Sequence, residues 1–224
     1  MLLRPEKALL FDIDGPLADT DALHLQAFNR VLGPRGHVFD HGRFTREIQG
    51  FSNASISERF LANELPDRQM AIMEEKEAAF RDLVAGQIEP TPGLMTLLVL
   101  ADRASIPIVA VTNAPRLNAE LLLTALGITH RFKAIVIGDE LAHGKPHPMP
   151  YLEGLRAVSA AANLSVAFED SRSGIRSASA AGIATVGIRT SLGHADMVEA
   201  GAHMTATSFD DPELMKLVAA TMNW

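Results

Sequence analysis

The sequence predicts an α/β protein, with a Rossmann-like open parallel sheet core into which an all-helical cap domain is inserted. Two observations predict this fold class. From about residue 90 onward, short apolar runs alternate with amphipathic stretches, and the runs themselves do not alternate with polar residues. Such runs are typical of strands that are buried on both faces of a parallel sheet. Residues 20–85 interrupt this series with helical periodicity throughout.

The apolar runs and the stretches between them give the order of the elements. Strands are expected at 7–12, 106–112, 133–138, 164–170, 182–188 and 203–206. Helices are expected at 93–104, 115–126, 147–161, 173–181, 194–200 and 211–222. Alternation of this kind favours a doubly wound sheet with right-handed crossovers.

The helical insert leaves the sheet after the first strand and returns near "EPTPG" at 89–93. We therefore expect a core domain of residues 1–17 and 88–224 and a cap domain of residues 18–87. Thr20 and Asp21 are suitable caps for the first cap helix. The segment "TREIQGFSN" is interpreted as a loop.

Composition excludes several classes of protein. The chain of 224 residues has a formal net charge of −7 and no cluster of lysine and arginine, which argues against nucleic acid as a partner. The absence of cysteine excludes disulfides and thiolate metal sites. No apolar stretch is long enough to span a membrane, and the first residues lack the features of a signal peptide. We therefore expect a cytoplasmic protein without a membrane partner, whose oligomeric state the sequence leaves open.

Polar side chains follow four of the apolar runs. They are Asp12 and Asp14, Thr112 and Asn113, Lys145, and Glu169 and Asp170. Because ligands of open parallel sheets bind beyond the carboxyl ends of the strands, we expect these side chains to share one site.

The charges at this site indicate its chemistry. Four carboxylates beside one lysine repel each other unless a cation offsets them, and Mg²⁺ is the usual cation where carboxylates meet a phosphate. Asp12 is then suited to act as nucleophile, with Asp14 protonating the leaving oxygen. Thr112 is expected to donate a hydrogen bond to the substrate, and Lys145 to neutralise charge that develops during transfer.

Four segments carry a resemblance to a known family. In chain order, "FDIDGPLADT", "VTNAPR", "GKPHPMPY" and "FEDSRSGIRSA" resemble the motifs of the haloacid dehalogenase superfamily. The position of the insert resembles its helical-cap branch, which includes phosphoglycolate phosphatases and β-phosphoglucomutase. Pro16 departs from the pattern, because the family more often has threonine or valine there.

The resemblance implies Mg²⁺-dependent phosphoryl transfer through an aspartyl-phosphate intermediate. By the family pattern, Asp12 is the nucleophile and Asp14 the acid/base, while Thr112 and Lys145 hold the phosphoryl group. The metal is held by Asp12, the main-chain carbonyl of Asp14 and Asp170, with Glu169 in or next to that shell.

The cap is expected to select the substrate. His24, on the first cap helix, is placed where the sugar-phosphate branch often has a histidine, although a partly buried polar role fits it equally. Arg46, Gln49, Ser52 and Lys76 are candidates to meet the distal part of the substrate, although their residue types alone favour a solvated role for each. Asn113 is expected to contact the substrate from the core.

The leading interpretation is a phosphatase acting on a small phosphorylated metabolite, such as a sugar phosphate or a phosphoglycolate-like compound. The first alternative is a phosphomutase similar to β-phosphoglucomutase, which returns the phosphoryl group to a sugar. "VTNAPR" lacks the Ser-x-Ser-Lys arrangement associated with that mutase, which favours hydrolysis. The second alternative is a non-catalytic sugar-phosphate sensor, against which the intact Asp12, Asp14, Lys145 and Asp170 argue. Asp14 also argues against a dehalogenase, since that branch does not keep an aspartate there.

Overall fold

The computed structural model describes residues 6–84 and 88–224 and contains one parallel sheet. Its strands are β1 Leu9–Phe11, β2 Ile108–Thr112, β3 Phe132–Ile137, β4 Val166–Glu169, β5 Ala184–Ile188 and β6 Met204–Ala206. Their order across the sheet is β3-β2-β1-β4-β5-β6. Each neighbouring pair is parallel. The predicted α/β fold class is therefore confirmed, and every strand lies close to its predicted range.

The central strands are buried on both faces, which explains their continuous apolar sequences. On one face, Phe11 stacks on Phe168 with 4.6 Å between ring centroids, and Phe209 packs against both rings. On the other face, Leu10 belongs to a separate cluster that includes the fully buried Tyr151. Successive strand residues point to opposite faces, so both faces require apolar side chains.

Helices cover the sheet and fill the insert. They are α1 Asp21–Leu32, α2 His41–Glu47, α3 Asn53–Phe60, α4 Pro66–Val84, α5 Leu94–Arg103, α6 Arg116–Ala125, α7 Met149–Ala157, α8 Arg172–Ala180, α9 His194–Ala200 and α10 Pro212–Met222. The first four lie between β1 and α5, where the sequence predicts the helical cap. Among the described residues, no helix combines the length and hydropathy needed to cross a bilayer.

The interpretation of "TREIQGFSN" as a loop is wrong for its first residues. Thr45 to Glu47 form the end of α2, and only 48–52 links this helix to α3. The side chain of Asp40 caps α2 by accepting a hydrogen bond from the backbone N–H of Arg43 at 2.7 Å. A helix of seven residues spans about two turns, which is too short for hydrophobic periodicity to reveal.

The exact division into core and cap stays a prediction. One hydrophobic cluster contains sheet side chains such as Leu9 together with Phe28 and Phe80 of the cap helices. The expected boundary between residues 87 and 88 adjoins 85–87, which lie outside the described residues. What the fold does fix is the position of the insert, which begins directly after β1 and its two aspartates.

Candidate active site

The carboxyl ends of three adjacent strands bring the predicted polar residues together. β1 lies between β2 and β4, so Asp12 stands between Thr112 and Asp170 at this edge of the sheet. All three side chains line one cavity with an empty volume of about 650 Å³. Asp14 and Lys145 line the same cavity. The fold therefore brings these five residues together around one cavity.

Lys145 is held against Asp12 by a fully buried set of contacts. Its Nζ lies 2.9 Å from Asp12 Oδ1 and 2.6 Å from Glu169 Oε1. It also donates a hydrogen bond to the carbonyl of Val111 at 2.8 Å. Burial alone would lower the pKa of Lys145, but the charges of Asp12 and Glu169 outweigh it and raise the pKa. The lysine is therefore a fixed positive charge beside the proposed nucleophile.

Glu169 anchors this arrangement from behind the cavity. Its Oε1 accepts hydrogen bonds from Lys145 and, at 2.7 Å, from the hydroxyl of Tyr151. Its Oε2 accepts from Ser171 Oγ and from the backbone N–H of Asp170, both at 3.2 Å. Glu169 is fully buried and is not among the residues that line the cavity. These contacts make it a positioning residue, and its predicted place in the metal shell stays a prediction.

Asp14 is held by one residue that precedes α1 and by one residue within this helix. Thr20 donates a hydrogen bond to Asp14 Oδ1 at 2.7 Å, and His24 Nε2 lies 3.1 Å from the same oxygen. Burial would raise the pKa of Asp14, but the hydrogen bond and charge of His24, aided by Thr20, lower it. The His24 ring stacks on Phe80 with 3.8 Å between centroids, which fixes its orientation. His24 thus contacts a predicted catalytic residue.

The expectation that the Thr20 side chain caps α1 is wrong. Thr20 occupies the N-cap position, but its side chain makes no capping hydrogen bond. Its hydroxyl is instead committed to Asp14, because the turn after β1 brings the two side chains together. The neighbouring Asp21 faces the cavity and does not cap the helix.

The link between α2 and α3 closes over the core. Gln49 Nε2 donates hydrogen bonds to Asp21 Oδ2 and to Asp170 Oδ2, each at 3.0 Å. The carbonyl of Gly50 accepts from Ser173 Oγ and from Asn113 Nδ2. The cap residue Gln49 therefore bridges two carboxylates that belong to different parts of the chain.

Asn113 positions the loop that carries Lys145. Its Oδ1 accepts from the backbone N–H of Lys145 at 3.1 Å, and its Nδ2 donates to the Lys145 carbonyl at 3.2 Å. Its side chain lines the cavity, where we predicted contact with the substrate. Because the amide oxygen and the amide nitrogen of Asn113 both form hydrogen bonds with the backbone of Lys145, the contacts of Asn113 hold Lys145 in place.

The predicted cap residues separate into two groups. Lys76 is buried, lines the cavity and pairs with Glu77 at 2.7 Å. Arg46 lies on the exposed side of α2 and does not line the cavity, so the structure does not bring it to the site. Ser52 caps α3 through its hydroxyl and is likewise absent from the lining.

Comparison with known proteins assigns the family. Residues 9–188 match the family model described as haloacid dehalogenase-like hydrolase. The chain belongs to this family. The fructose-1-phosphate phosphatase YqaB of Escherichia coli (strain K12) is 31% identical to this hydrolase over 182 residues, covering 81% of this chain and 95% of the relative.

Solved structures resemble this hydrolase along nearly its whole length. A CbbY variant from Rhodobacter sphaeroides in complex with xylulose-(1,5)bisphosphate has a TM-score of 0.82 at 29% identity, covering 93% of this chain and 96% of that one. A β-phosphoglucomutase from Clostridium difficile has a TM-score of 0.83 at 22% identity, covering 97% of each chain. The second likeness shows the fold alone.

The acidic residues of the hydrolase fit a divalent cation. Oxygens of Asp12, Glu169 and Asp170 all lie within 4.8 Å of one another. Burial, reinforced by the charge of Glu169 and opposed by Lys145, raises the pKa of Asp12 to about 8. Burial, followed by the charges of Asp21 and Asp12, raises the pKa of Asp170 well above its usual range. Neighbouring buried carboxyl groups repel each other when both are ionised. A hard cation between them stabilises their ionised forms.

One oxygen of Asp12 supports this fit. Asp12 Oδ1 is buried, its contact with Lys145 Nζ lies outside hydrogen-bond geometry, and no group in 6–84 or 88–224 donates a hydrogen bond to it. Buried polar atoms are nearly always satisfied, so this oxygen is available to a ligand. The donor set contains only oxygen, which suits Mg²⁺ or a similar hard ion.

Sequence reasoning missed several residues of the site. They are Tyr151, Ser171, Thr190, Ser191, Glu77 and Asn118. Ser171 contacts Glu169 two residues earlier, but the contacts of the others join segments far apart in the chain, so no local spacing indicates them. Asp21 carried a signal, since it is a third aspartate within eight residues of Asp14, but a helix-capping role accounted for it.

Proposed function

We propose that this hydrolase is a Mg²⁺-dependent phosphatase that releases phosphate from a small phosphorylated metabolite, either a sugar phosphate or a phosphoglycolate-like compound. The observation that carries the proposal is the convergence of Asp12, Asp14 and Lys145 on one cap-covered cavity. The relative described as a fructose-1-phosphate phosphatase and the CbbY complex with a sugar bisphosphate support this substrate class. The acidic composition supports a protein without a nucleic-acid partner.

In the first step, a carboxylate oxygen of Asp12 attacks phosphorus, and the bond from phosphorus to the leaving alcohol oxygen breaks. Asp14 gives a proton to that oxygen, which leaves as a neutral alcohol. His24 Nε2 lies 3.1 Å from Asp14 Oδ1, and this contact holds the carboxyl group in place. Lys145 and Thr112 face the phosphoryl group and offset its negative charge.

In the second step, water attacks the aspartyl-phosphate at phosphorus. Asp14 removes a proton from the water, and the bond between phosphorus and Asp12 breaks to release phosphate. Asp14 is ionised once it has given up its proton in the first step, and its lowered pKa favours this form for the role as base. A bound Mg²⁺, held by Asp12, Asp170 and the Asp14 main-chain carbonyl, would neutralise charge between the carboxylates and the phosphate.

The cap supplies the remaining groups. His24 acts on Asp14, and Lys76 faces the distal part of the substrate. Gln49 holds the cap against Asp170, which excludes bulk water from the cavity while the phosphoryl group is transferred.

Phosphate release from a panel of phosphorylated metabolites tests the proposal. We expect release with Mg²⁺ that disappears with EDTA and in Asp12→Asn, and that persists in Asp67→Asn, which changes an exposed aspartate of α4. Isomerisation of β-glucose 1-phosphate is followed in parallel. Isomerisation with little release would replace the phosphatase by a mutase, and binding without either reaction would replace it by a sensor.

A further inference from the structure

Two adjacent residues of α4 form a buried ion pair on the cap side of the cavity. Lys76 Nζ lies 2.7 Å from Glu77 Oε1, and each side chain is only 3% exposed. Both residues line the cavity. The ammonium also lies over the Phe28 ring, 4.3 Å from its centroid. The cationic group that the cap directs into the cavity is therefore matched by a carboxylate beside it.

Glu77 is locked in this position by both of its oxygens. Asn53 Nδ2 donates to Oε1 at 2.7 Å, and Asn118 Nδ2 donates to Oε2 at 2.6 Å. Burial would raise the pKa of Glu77, but the charge of Lys76, supported by His24 and these hydrogen bonds, lowers it. Glu77 is thus ionised at neutral pH and cannot turn away from Lys76 without losing its amide donors.

Every basic side chain that lines the cavity from the described residues lies beside a carboxylate. Lys145 contacts Asp12 and Glu169, His24 contacts Asp14, and Lys76 contacts Glu77. The lining contains no arginine from the described part of the chain. The rest of the cap-side wall combines the uncharged polar Gln49 and Asn53 and the acidic Asp21 with five apolar side chains, Phe28, Phe44, Ile48, Phe51 and Ile56.

This charge pattern accommodates one phosphate group and disfavours a second. The phosphoryl group that reacts has Lys145 and the acidic metal site to offset its charge. A second phosphate carries a charge of about −1.5 to −2 at neutral pH. It would meet Lys76, whose positive charge is already offset by Glu77. A charge buried without compensation is costly, whereas sugar hydroxyls or a short apolar chain suit this wall.

We propose that Glu77 is a specificity-determining residue that cancels Lys76 and makes the enzyme select monophosphates with an uncharged remainder over bisphosphates. This inference rests on the proposed phosphatase function and narrows its substrate class. Glu77 then acts by repelling the second phosphate of a bisphosphate. Discrimination between ligands often depends on such a group that repels the wrong one.

The test compares kcat/KM for matched substrates with Mg²⁺. The pairs are fructose 1-phosphate with fructose 1,6-bisphosphate, and xylulose 5-phosphate with xylulose 1,5-bisphosphate. We expect the wild type to prefer the monophosphate by about tenfold or more, which corresponds to about 1.4 kcal/mol. In Glu77→Gln, which frees the charge of Lys76, the bisphosphate to monophosphate ratio should rise about tenfold.

Glu75→Gln is the matched control, because it removes a carboxylate of the same helix whose side chain is 58% exposed. Its ratio should equal that of the wild type. Titration calorimetry of Asp12→Asn with the same pairs gives the binding ratio without turnover and without any change at Glu77. If Glu77→Gln fails to fold, this measurement still tests the preference itself, and tighter binding of the bisphosphates would overturn the inference.

A wild type that prefers bisphosphates, or a folded Glu77→Gln with an unchanged ratio, would overturn the inference while the phosphatase function stands. Absence of both phosphate release and binding for either member of every pair would instead reject the proposed function, and the inference with it.

Discussion

Lys145 and Glu169 form an ion pair 2.6 Å long in which neither side chain is more than 1% exposed. Removing one partner of a buried pair leaves an uncompensated charge, which is more harmful than replacing both. Because Glu169 also accepts from Tyr151 and Ser171, it determines where Lys145 lies relative to Asp12.

We predict that Glu169→Gln lowers the free energy of unfolding by about 1.5–3 kcal/mol, the range for hydrogen bonds to charged groups. It should also reduce kcat at least tenfold with a smaller change in KM, because Lys145 loses its anchor. Urea denaturation and steady-state kinetics measure the two effects. Glu120→Gln, at an exposed glutamate of α6, should leave both unchanged. Wild-type kcat in Glu169→Gln would argue against the anchoring role.

The acidic cluster predicts a metal-dependent change in stability. A cation that binds only the folded state stabilises it by about 2.7 kcal/mol at a concentration a hundred times its Kd. Mg²⁺ should therefore raise the Tm of the wild type and of Asp67→Asn, and EDTA should reverse the effect. Asp170→Asn should lose the Mg²⁺ effect while being at least as stable as the wild type without metal, since its carboxylate is repelled by Asp21 and Asp12. An equal Mg²⁺ shift in Asp170→Asn would contradict this site.

The pKa of Glu77 predicts how acid affects the cap. Its pKa in the folded protein lies below the ordinary 4.5 because Lys76 and its other partners outweigh burial. A group whose pKa falls on folding stabilises the protein above its unfolded pKa and loses that contribution as pH falls through the folded value. The stability difference between wild type and Glu77→Gln should thus be largest above about pH 4.5 and shrink at lower pH. Chemical denaturation from pH 3 to 7 measures it, and a difference that grew on acidification would have the wrong sign.

The strands and their ends could be predicted from sequence because both depend on local patterns. A strand buried on both faces has an uninterrupted apolar run, and the residue after it must lie at the edge of the sheet. The pattern does not tell which of two adjacent carboxylates faces the cavity. Glu169 turns inward to Lys145 and Tyr151, whereas Asp170 lines the cavity, and this depends on packing with distant segments.

The cap shows the limit of local patterns most clearly. Lys76 was predicted from its place on a helix, but its partner Glu77 and the amide of Asn118 that holds it come from packing between α4 and α6. Arg46 was expected at the site because it lies in a segment interpreted as a loop, whereas it belongs to α2 and is exposed to solvent. The direction of each side chain on a short helix depends on which face of the helix packs against the core. Residue spacing alone does not identify that face.

The last prediction concerns Gly50, where the cap touches the core. Its φ of 78° lies in the left-handed region, and a Cβ there would lie 2.5 Å from Ser173 Oγ and 2.7 Å from Ser171 Cβ. Gly50→Ala should therefore prevent full closure of the cap, separate Gln49 from Asp170 and lower kcat/KM at least tenfold. Kinetics and limited proteolysis of the cap measure the effect.

Gly36→Ala is the matched control, because Gly36 has a φ of 89° but nothing lies within 4 Å of its Cβ position. Both substitutions carry the strain of a left-handed side chain, roughly 1–2 kcal/mol, so both should lower Tm, and Gly50→Ala should lower it at least as much as Gly36→Ala. Only Gly50→Ala adds the collision with α8 and its N-cap, so only this variant should lose activity and expose the cap to protease. If the two variants lose activity equally, backbone strain alone accounts for the loss, and the closeness of cap and core at Gly50 has no part in catalysis.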